Sequence, residues 1–178
     1  MNTQILISGF GGQGMMRLGK ILAEIALCQK KHTSWFPSYG AEMRGGTAHC
    51  FVKISNRPIS SPFIDSPDIA VIFNQPSLTK FKNNFSNKTK VILNADLIQK
   101  NHLIKIGTKI SCPLNKIASS CGNIKVANIV ALGIIFSLDK KLIKKQVIRS
   151  VLRKNFSGKK KLQQNLEAFS KGENYGKS

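Results

Sequence analysis

The sequence predicts an α/β sandwich of three layers, in which helices cover a mostly parallel sheet, and three observations predict it. Residues 4–8, 69–73 and 90–94 are short, nearly unbroken apolar runs of the kind found in strands covered on both faces. Segments with helical periodicity separate them. The first run also passes through Gly9-Phe10-Gly11-Gly12-Gln13-Gly14 directly into the first of those helices. Buried strands alternating with helices bury their apolar faces most simply as a sheet with helices on both sides.

The elements follow in order. Gln4-Ile5-Leu6-Ile7-Ser8 is the first strand, and residues 15–31 form a helix whose stripe is Leu18, Ile21, Leu22, Ile25 and Ala26, at i, i+3, i+4, i+7 and i+8. Lys30 and Lys31 sit at its C-terminal end, where cations suit the macrodipole. Residues 32–36 and 50–54 are strands on either side of a glycine-rich segment, and Ser55-Asn56-Arg57-Pro58 stops the second. Pro62 and Pro67 hold an extended connection to the strand at 69–73, with Asp68 as a turn residue. A helix over 76–85, a strand over 90–94 and a last strand over 108–112 come next. Residues 126–138 are apolar nearly all round, which predicts a buried helix with Asn128 as its polar exception. Residues 140–156 are amphipathic, and residues 162–169 add a short final helix. Residues 1–171 read as one domain and 172–178 as a frayed tail.

Composition narrows the function classes. The 178 residues carry 28 Lys and Arg against 8 Asp and Glu, a formal net charge of +20. Seventeen of the basic residues fall in 100–178 and eleven in 1–99, so both halves are basic. The lysines are scattered and few aromatics lie among them, which argues against a nucleic-acid platform and for an acidic partner subunit. Cys28, Cys50, Cys112 and Cys121 show no CxxC and no histidine at zinc-ligand spacing, so they read as small buried hydrophobes and no metal site is expected. No cationic n-region precedes the first strand, and the longest apolar run, 129–136, is far short of the ~18 residues that span a bilayer. A reduced, cytoplasmic protein away from the membrane is the expectation.

Two segments carry the candidate chemistry. Gly9, Gly11 and Gly14 satisfy GxGxxG after a strand and at the start of a helix, where backbone N–H groups and the helix N-terminus can receive phosphate. The acid about twenty residues on that would anchor a dinucleotide ribose is missing, since residues 30–39 hold no Asp or Glu. A tight turn without a ligand therefore stays open as an alternative. The second segment is Ser38-Tyr39-Gly40-Ala41-Glu42-Met43-Arg44-Gly45-Gly46-Thr47-Ala48-His49. Arg44 beside Gly45 and Gly46 suits a bidentate anion contact over an open backbone, with Tyr39 placed to stack or pack. A hairpin in which Arg44 only pairs with Glu42 stands beside that reading. His49 is either a proton shuttle or a structural strand residue. No Walker lysine, GxSxG or metal pair is present, so no catalytic residue is assigned to this chain.

Together these two segments resemble the gamma subunits of the 2-oxoacid:ferredoxin oxidoreductases, the pyruvate/ketoisovalerate gamma-domain family. The likeness extends to Pro58-Ile59, Ser61-Pro62, Pro67-Asp68, Asn74-Gln75, Asn94, Asn128 with Ala131-Leu132-Gly133, and Asn165-Leu166-Glu167-Ala168-Phe169. The resemblance implies a Rossmann-like unit that works inside a multi-subunit enzyme. In that family, sister subunits hold thiamine diphosphate and iron–sulfur clusters, and the complex turns a 2-oxoacid and coenzyme A (CoA) into acyl-CoA, CO2 and reduced ferredoxin. In related single-chain pyruvate enzymes the corresponding domain closes over the active site and helps to bind CoA. The implied cofactor-facing residues here are Gly9, Gly11, Gly12, Gln13, Gly14, Tyr39, Arg44, Gly45 and Gly46. Glu42 and Met43 stand where those enzymes carry lysines, which leaves Arg44 as the anion contact. The implied partners are the thiamine-binding and ferredoxin-like sister subunits, and substrate choice belongs mainly to them. The alternative from another class is a basic, non-enzymatic module for RNA or another anionic scaffold.

Overall fold

The chain is described by a computed structural model over residues 2–39, 47–99 and 108–177. Six strands form one sheet in the order β2-β3-β1-β4-β5-β6: β1 Asn2–Phe10, β2 His32–Ser38, β3 Thr47–Ser55, β4 Ile69–Ile72, β5 Lys90–Asn94 and β6 Thr108–Cys112. Strands β1, β4, β5 and β6 pair in parallel, as expected. Strand β3 is antiparallel to β1 and β2 is antiparallel to β3, because the link from Ser38 to Thr47 is too short for a crossover. Since β2 thereby runs with β1, the C-terminal ends of five strands lie along one edge of the sheet.

The pleat divides the core. Ile5, Ile7, Val52, Ile54, Val71 and Ile92 face the larger apolar cluster, which is built with α1 Met15–Cys28, α3 Leu114–Ser120, α4 Ala127–Leu138, α5 Lys145–Asn155 and α6 Lys159–Tyr175. Leu6, Ala70, Ile72, Val91 and Leu93 face the other side and meet Leu78 and Phe81 of α2 Gln75–Phe81. The result is three layers with unequal covers. The predicted stripe of α1 is buried throughout, and α4 is buried from Ala127 to Phe136.

Several boundaries differ from the expectation for local reasons. Helix α1 stops at Cys28, and Lys30 adopts a left-handed φ of 57° in the turn that follows. Residues 140–156 do not form one helix, because Asp139 Oδ1 accepts from the N–H groups of Lys141 at 3.0 Å and Leu142 at 3.1 Å and holds a turn ahead of α5. Helix α3 has no counterpart among the expected elements. Its first turn is held from a distance, with Asp96 Oδ2 accepting from the N–H groups of Asn115 at 2.8 Å and Lys116 at 3.0 Å. The frayed tail is corrected as well: α6 continues to Tyr175, and Gly172 and Glu173 are buried against the rest of the domain. Cys50, Cys112 and Cys121 are buried as expected, whereas Cys28, at the end of α1, is exposed.

Candidate functional site

The sheet edge that gathers the C-terminal strand ends is built from the glycine turn outward. Gly12 and Gly14 take left-handed φ values of 89° and 77°, which only glycine adopts without strain, so the chain reverses from β1 into α1 within four residues. Gln13 N–H closes the turn on Phe10 O at 3.3 Å. Gly14 is the N-cap of α1, supplies no side-chain cap, and is followed by no acidic residue in the first turn. The positive end of the helix is therefore left for an outside group. Among the described residues a Cβ at Gly11 or Gly12 would meet nothing within 4 Å, so both present bare backbone there. At Gly9 a Cβ would meet Gln13 Oε1 at 2.6 Å and Phe73 Cβ at 2.9 Å, so Gly9 serves close packing of the turn.

Carboxamides tie this turn to neighbouring strand ends. Gln13 Oε1 accepts from Phe10 N–H at 2.6 Å and from Asn74 Nδ2 at 3.1 Å, which commits that oxygen to the fold. Asn74 Oδ1 in turn caps α2 by accepting from Ser77 N–H at 3.0 Å. Asn94, at the end of β5, donates to Phe73 O and to Asn115 Oδ1, both at 3.3 Å. Asn128, the polar residue at the start of α4, donates to Gly14 O at 3.1 Å. Buried polar groups satisfied in this way fix the turn in one geometry. Beside it lies a cavity of about 170 Å³ lined by Gly12, Gln13, Phe73, Asn115, Ile124, Lys125 and Ala127. Its size suits a phosphate or a narrow chain rather than a whole dinucleotide.

The second predicted segment enters and leaves at the same edge. Ser38 pairs with His49, His49 pairs with Ser8, and Thr47 pairs with Phe10. Tyr39 follows Ser38 with 70% of its surface exposed, so it is not packed into the core. Arg44, Gly45 and Gly46, with Gly40 to Met43, lie outside the described residues. His49 sits between Phe51 and Phe81, with ring centroids 5.2 and 4.9 Å away, and its buried Nδ1 has no partner among the described residues. Burial, aided by the nearby Lys80 charge, pushes its pKa down to about 4. A neutral, aromatic-caged imidazole at neutral pH fits the structural role. Among the described residues no three His, Cys, Asp or Glu side chains gather as a metal site, and no helix is long and apolar enough to cross a membrane.

Residues 4–175 match the pyruvate ferredoxin/flavodoxin oxidoreductase family. The chain belongs to that family. Among its relatives, the ketoisovalerate oxidoreductase subunit VorA of Methanothermobacter marburgensis is 39% identical over 163 residues, covering 90% of this chain and 33% of VorA. The chain thus spans about a third of that relative's length. The 2-oxoglutarate synthase subunit KorC of Methanocaldococcus jannaschii is 36% identical over 177 residues, covering 97% of this chain and 92% of KorC. Among solved structures, the gamma subunit of a keto/oxoacid ferredoxin oxidoreductase from Geobacter sulfurreducens superposes with a TM-score of 0.84 at 26% identity, over 98% of both chains. The 2-oxoglutarate:ferredoxin oxidoreductase from Magnetococcus marinus, solved with 2-oxoglutarate, CoA and succinyl-CoA bound, superposes with a TM-score of 0.90 at 25% identity, over 99% of this chain and 31% of that one.

Within this family fold, the structure brings Gly9, Gly11, Gly12, Gln13 and Gly14 together and places Tyr39 at the end of β2, two strands away. Asn115, Lys125 and Asp96 carry no motif of their own and are absent from the sequence-based candidates. Pro113, just ahead of α3, is the available signal for a helix start that would put Asn115 near the site.

Proposed function

We propose that this chain is a gamma-type subunit of a multi-subunit 2-oxoacid:ferredoxin oxidoreductase, an enzyme that converts a 2-oxoacid and CoA to acyl-CoA, CO2 and reduced ferredoxin. The observation that carries this reading is the reciprocal coverage with the KorC subunit, in which the alignment takes in 97% of one chain and 92% of the other. In VorA and in the Magnetococcus enzyme a similar unit makes up about a third of a longer chain. Thiamine diphosphate and iron–sulfur clusters, held by sister subunits, supply the decarboxylation and electron transfer. The four cysteines of this chain are free thiols, and burial pushes Cys50 and Cys112 up to about 12. No step is assigned to them.

The part of this chain is to close one side of a shared site and to contact CoA. Support for the contact comes from the bare backbone at Gly11 and Gly12, the uncapped start of α1 and the small cavity with Lys125 at its wall. From the sequence, Arg44 with Gly45 and Gly46 adds an anion anchor on the connection between Ser38 and Thr47. The complex works in the reducing cytoplasm on this reading, consistent with free thiols. Coexpression with thiamine-binding and ferredoxin-like subunits should move the chain to a higher gel-filtration mass. In that complex Arg44→Ala should raise the Michaelis constant for CoA about tenfold, the effect of losing one charge-assisted contact. An unchanged elution volume would sink the subunit assignment, and an unchanged constant would sink the role of Arg44.

A further inference from the structure

The end of the domain opposite the glycine turn carries charge that the fold leaves uncompensated. Helix α1 runs from the turn to this end, where Lys30 follows it, and the link between α4 and α5 brings Lys140, Lys141 and Lys144 alongside. Two bonds lace these segments together: Lys31 Nζ donates to Leu142 O at 2.7 Å, and Lys144 N–H donates to Gln29 Oε1 at 3.0 Å. Residues 140–154 hold seven Lys and Arg and no Asp or Glu, and the acids nearby are already committed. Asp139 Oδ1 holds the turn ahead of α5, Glu24 Oε2 accepts from Asn155 Nδ2 at 2.6 Å, and Glu173 pairs with Lys145 and Lys177. Lys30, Lys140, Lys141 and Lys144 are exposed and make no ion pair among the described residues. Lys144 is also the N-cap of α5, with no acidic residue in the first turn, a position where a cation opposes the macrodipole. The crowding is felt next door: burial lowers the Lys31 pKa, Asp139 raises it, and Lys144 lowers it again. Beside these cations stands Leu27, 61% exposed, whose carbonyl accepts from Lys30 N–H at 2.9 Å.

We propose that this end docks an acidic protein surface, whose carboxylates meet Lys30, Lys140, Lys141 and Lys144 around an apolar pocket for Leu27. An apolar anchor within a polar, charged rim is the ordinary anatomy of a protein interface, and opposite charge across the rim steers the partner into register. A nucleic acid fits less well, because none of these four cations stacks on an aromatic ring among the described residues, and single-strand binders rely on such stacking. The occupant is a sister subunit of the complex, which rests on the subunit reading above. Seated here it leaves the opposite sheet edge, with the glycine turn, free for a ligand.

The test coexpresses the full chain with the thiamine-binding and ferredoxin-like subunits and follows the complex by gel filtration across a salt series. A triple charge reversal, Lys140→Glu with Lys141→Glu and Lys144→Glu, is set against an equal reversal elsewhere, Lys82→Glu with Lys109→Glu and Lys116→Glu. All six lysines are exposed, so both triple variants should melt close to the wild type. The wild-type complex should loosen as salt rises, because the Debye length falls from about 10 Å at about 0.1 M to about 3 Å at about 1 M. At the lower salt the first triple variant should bind its partners about tenfold more weakly or worse, and the second should change affinity by less than about twofold. Leu27→Ser should weaken the complex at every salt concentration, since it removes apolar contact and no charge. If the first triple variant melts lower, Lys140→Gln with Lys141→Gln and Lys144→Gln, which removes the charge without reversing it, carries the comparison. The proposal is overturned if both triple variants weaken the complex equally. It is also overturned if the first leaves the complex intact and instead loses binding to an oligothymidine probe, which would make the surface a nucleic-acid site. A wild-type chain that assembles with no sister subunit overturns this docking and the subunit reading together, whereas an assembled complex indifferent to the first triple variant overturns the docking alone.

Discussion

Two groups of glycines in this molecule do opposite work. At the strand ends, Gly11 and Gly12 have no described residue where a side chain would go. At the crossing of α4 and α6, Gly133 and Gly172 have none: a Cβ on Gly133 would run into Phe169 O and the Glu173 and Gly172 backbone, and one on Gly172 into the Val130 backbone. The first group gives up packing to leave backbone within reach of a ligand. The second gives up side chains so that two helices can touch backbone to backbone. A glycine in a sequence does not say which, and only the space around it separates a site from a joint.

The largest expected effect lies at the joint. Gly133→Ala or Gly172→Ala forces the helices apart, and overpacking at a rigid contact should cost about 3 kcal/mol. In a domain of this size that corresponds to a fall in melting temperature of about 6–12 °C. A fall under about 2 °C in a thermal scan would show that the crossing is slack and would break the contrast with the turn.

Glu173 comes next, since it follows Gly172 directly and is buried by the same contact. Burial pushes its carboxyl up, but Lys145 at 2.5 Å and Lys177 at 2.9 Å outweigh this and hold it below its ordinary value of 4.5. Because the folded value lies below the unfolded one, the ion pairs stabilise fully above about pH 4.5 and lose their effect as pH falls through the folded value. Glu173→Gln should cost about 2 kcal/mol at pH 7, in the range of charge-assisted bonds. The cost should shrink in acid, as urea midpoints at pH 7 and pH 3.5 would reveal.

His49 tests the site side of the comparison over a different window. Its folded pKa of about 4 lies below the ordinary 6.5, so between those values the unfolded chain binds more protons. Stability should therefore be complete above pH 6.5 and decline towards pH 4, a window above the one Glu173 governs. His49→Leu should flatten that decline, because Nδ1 has no partner to lose. A variant with the same slope as wild type between pH 6.5 and 4 would place the unpaired imidazole in a wetter setting than its aromatic neighbours suggest.

These differences track what was readable in the sequence. The buried strands and the α1 stripe were legible because their periodicity is local. The antiparallel β2 and β3 hairpin was partly legible, since β3 alternates while the direction of pairing depends on the length of the link. Helix α3 had only Pro113 to mark its start, as the carboxylate that holds its first turn is Asp96, eighteen residues before the helix begins. In the site, the glycine turn was visible from its spacing, and Asn74, Asn94 and Asn128 were visible as positions. Their bonding to Gln13, Phe73 and Gly14 was not, because it joins ends of strands distant in sequence. The stacking of Arg17 on Phe156 was invisible for the same reason, since the two meet across most of the chain.

The smallest expected effect on stability is the sharpest test of the comparison. Gly11 has no left-handed φ, and a Cβ placed on it would have no neighbour within 4 Å, so Gly11→Ala should change stability by no more than about 0.5 kcal/mol. The same methyl group stands where a ligand would approach the backbone. In the assembled complex it should raise the Michaelis constant for CoA severalfold while the melting temperature stays put. Gly133→Ala should do the reverse, lowering the melting temperature and leaving that constant alone in whatever fraction stays folded. If Gly11→Ala changes neither quantity, the space above the turn is solvent only, and the CoA contact must be sought at Lys125 in the wall of the small cavity.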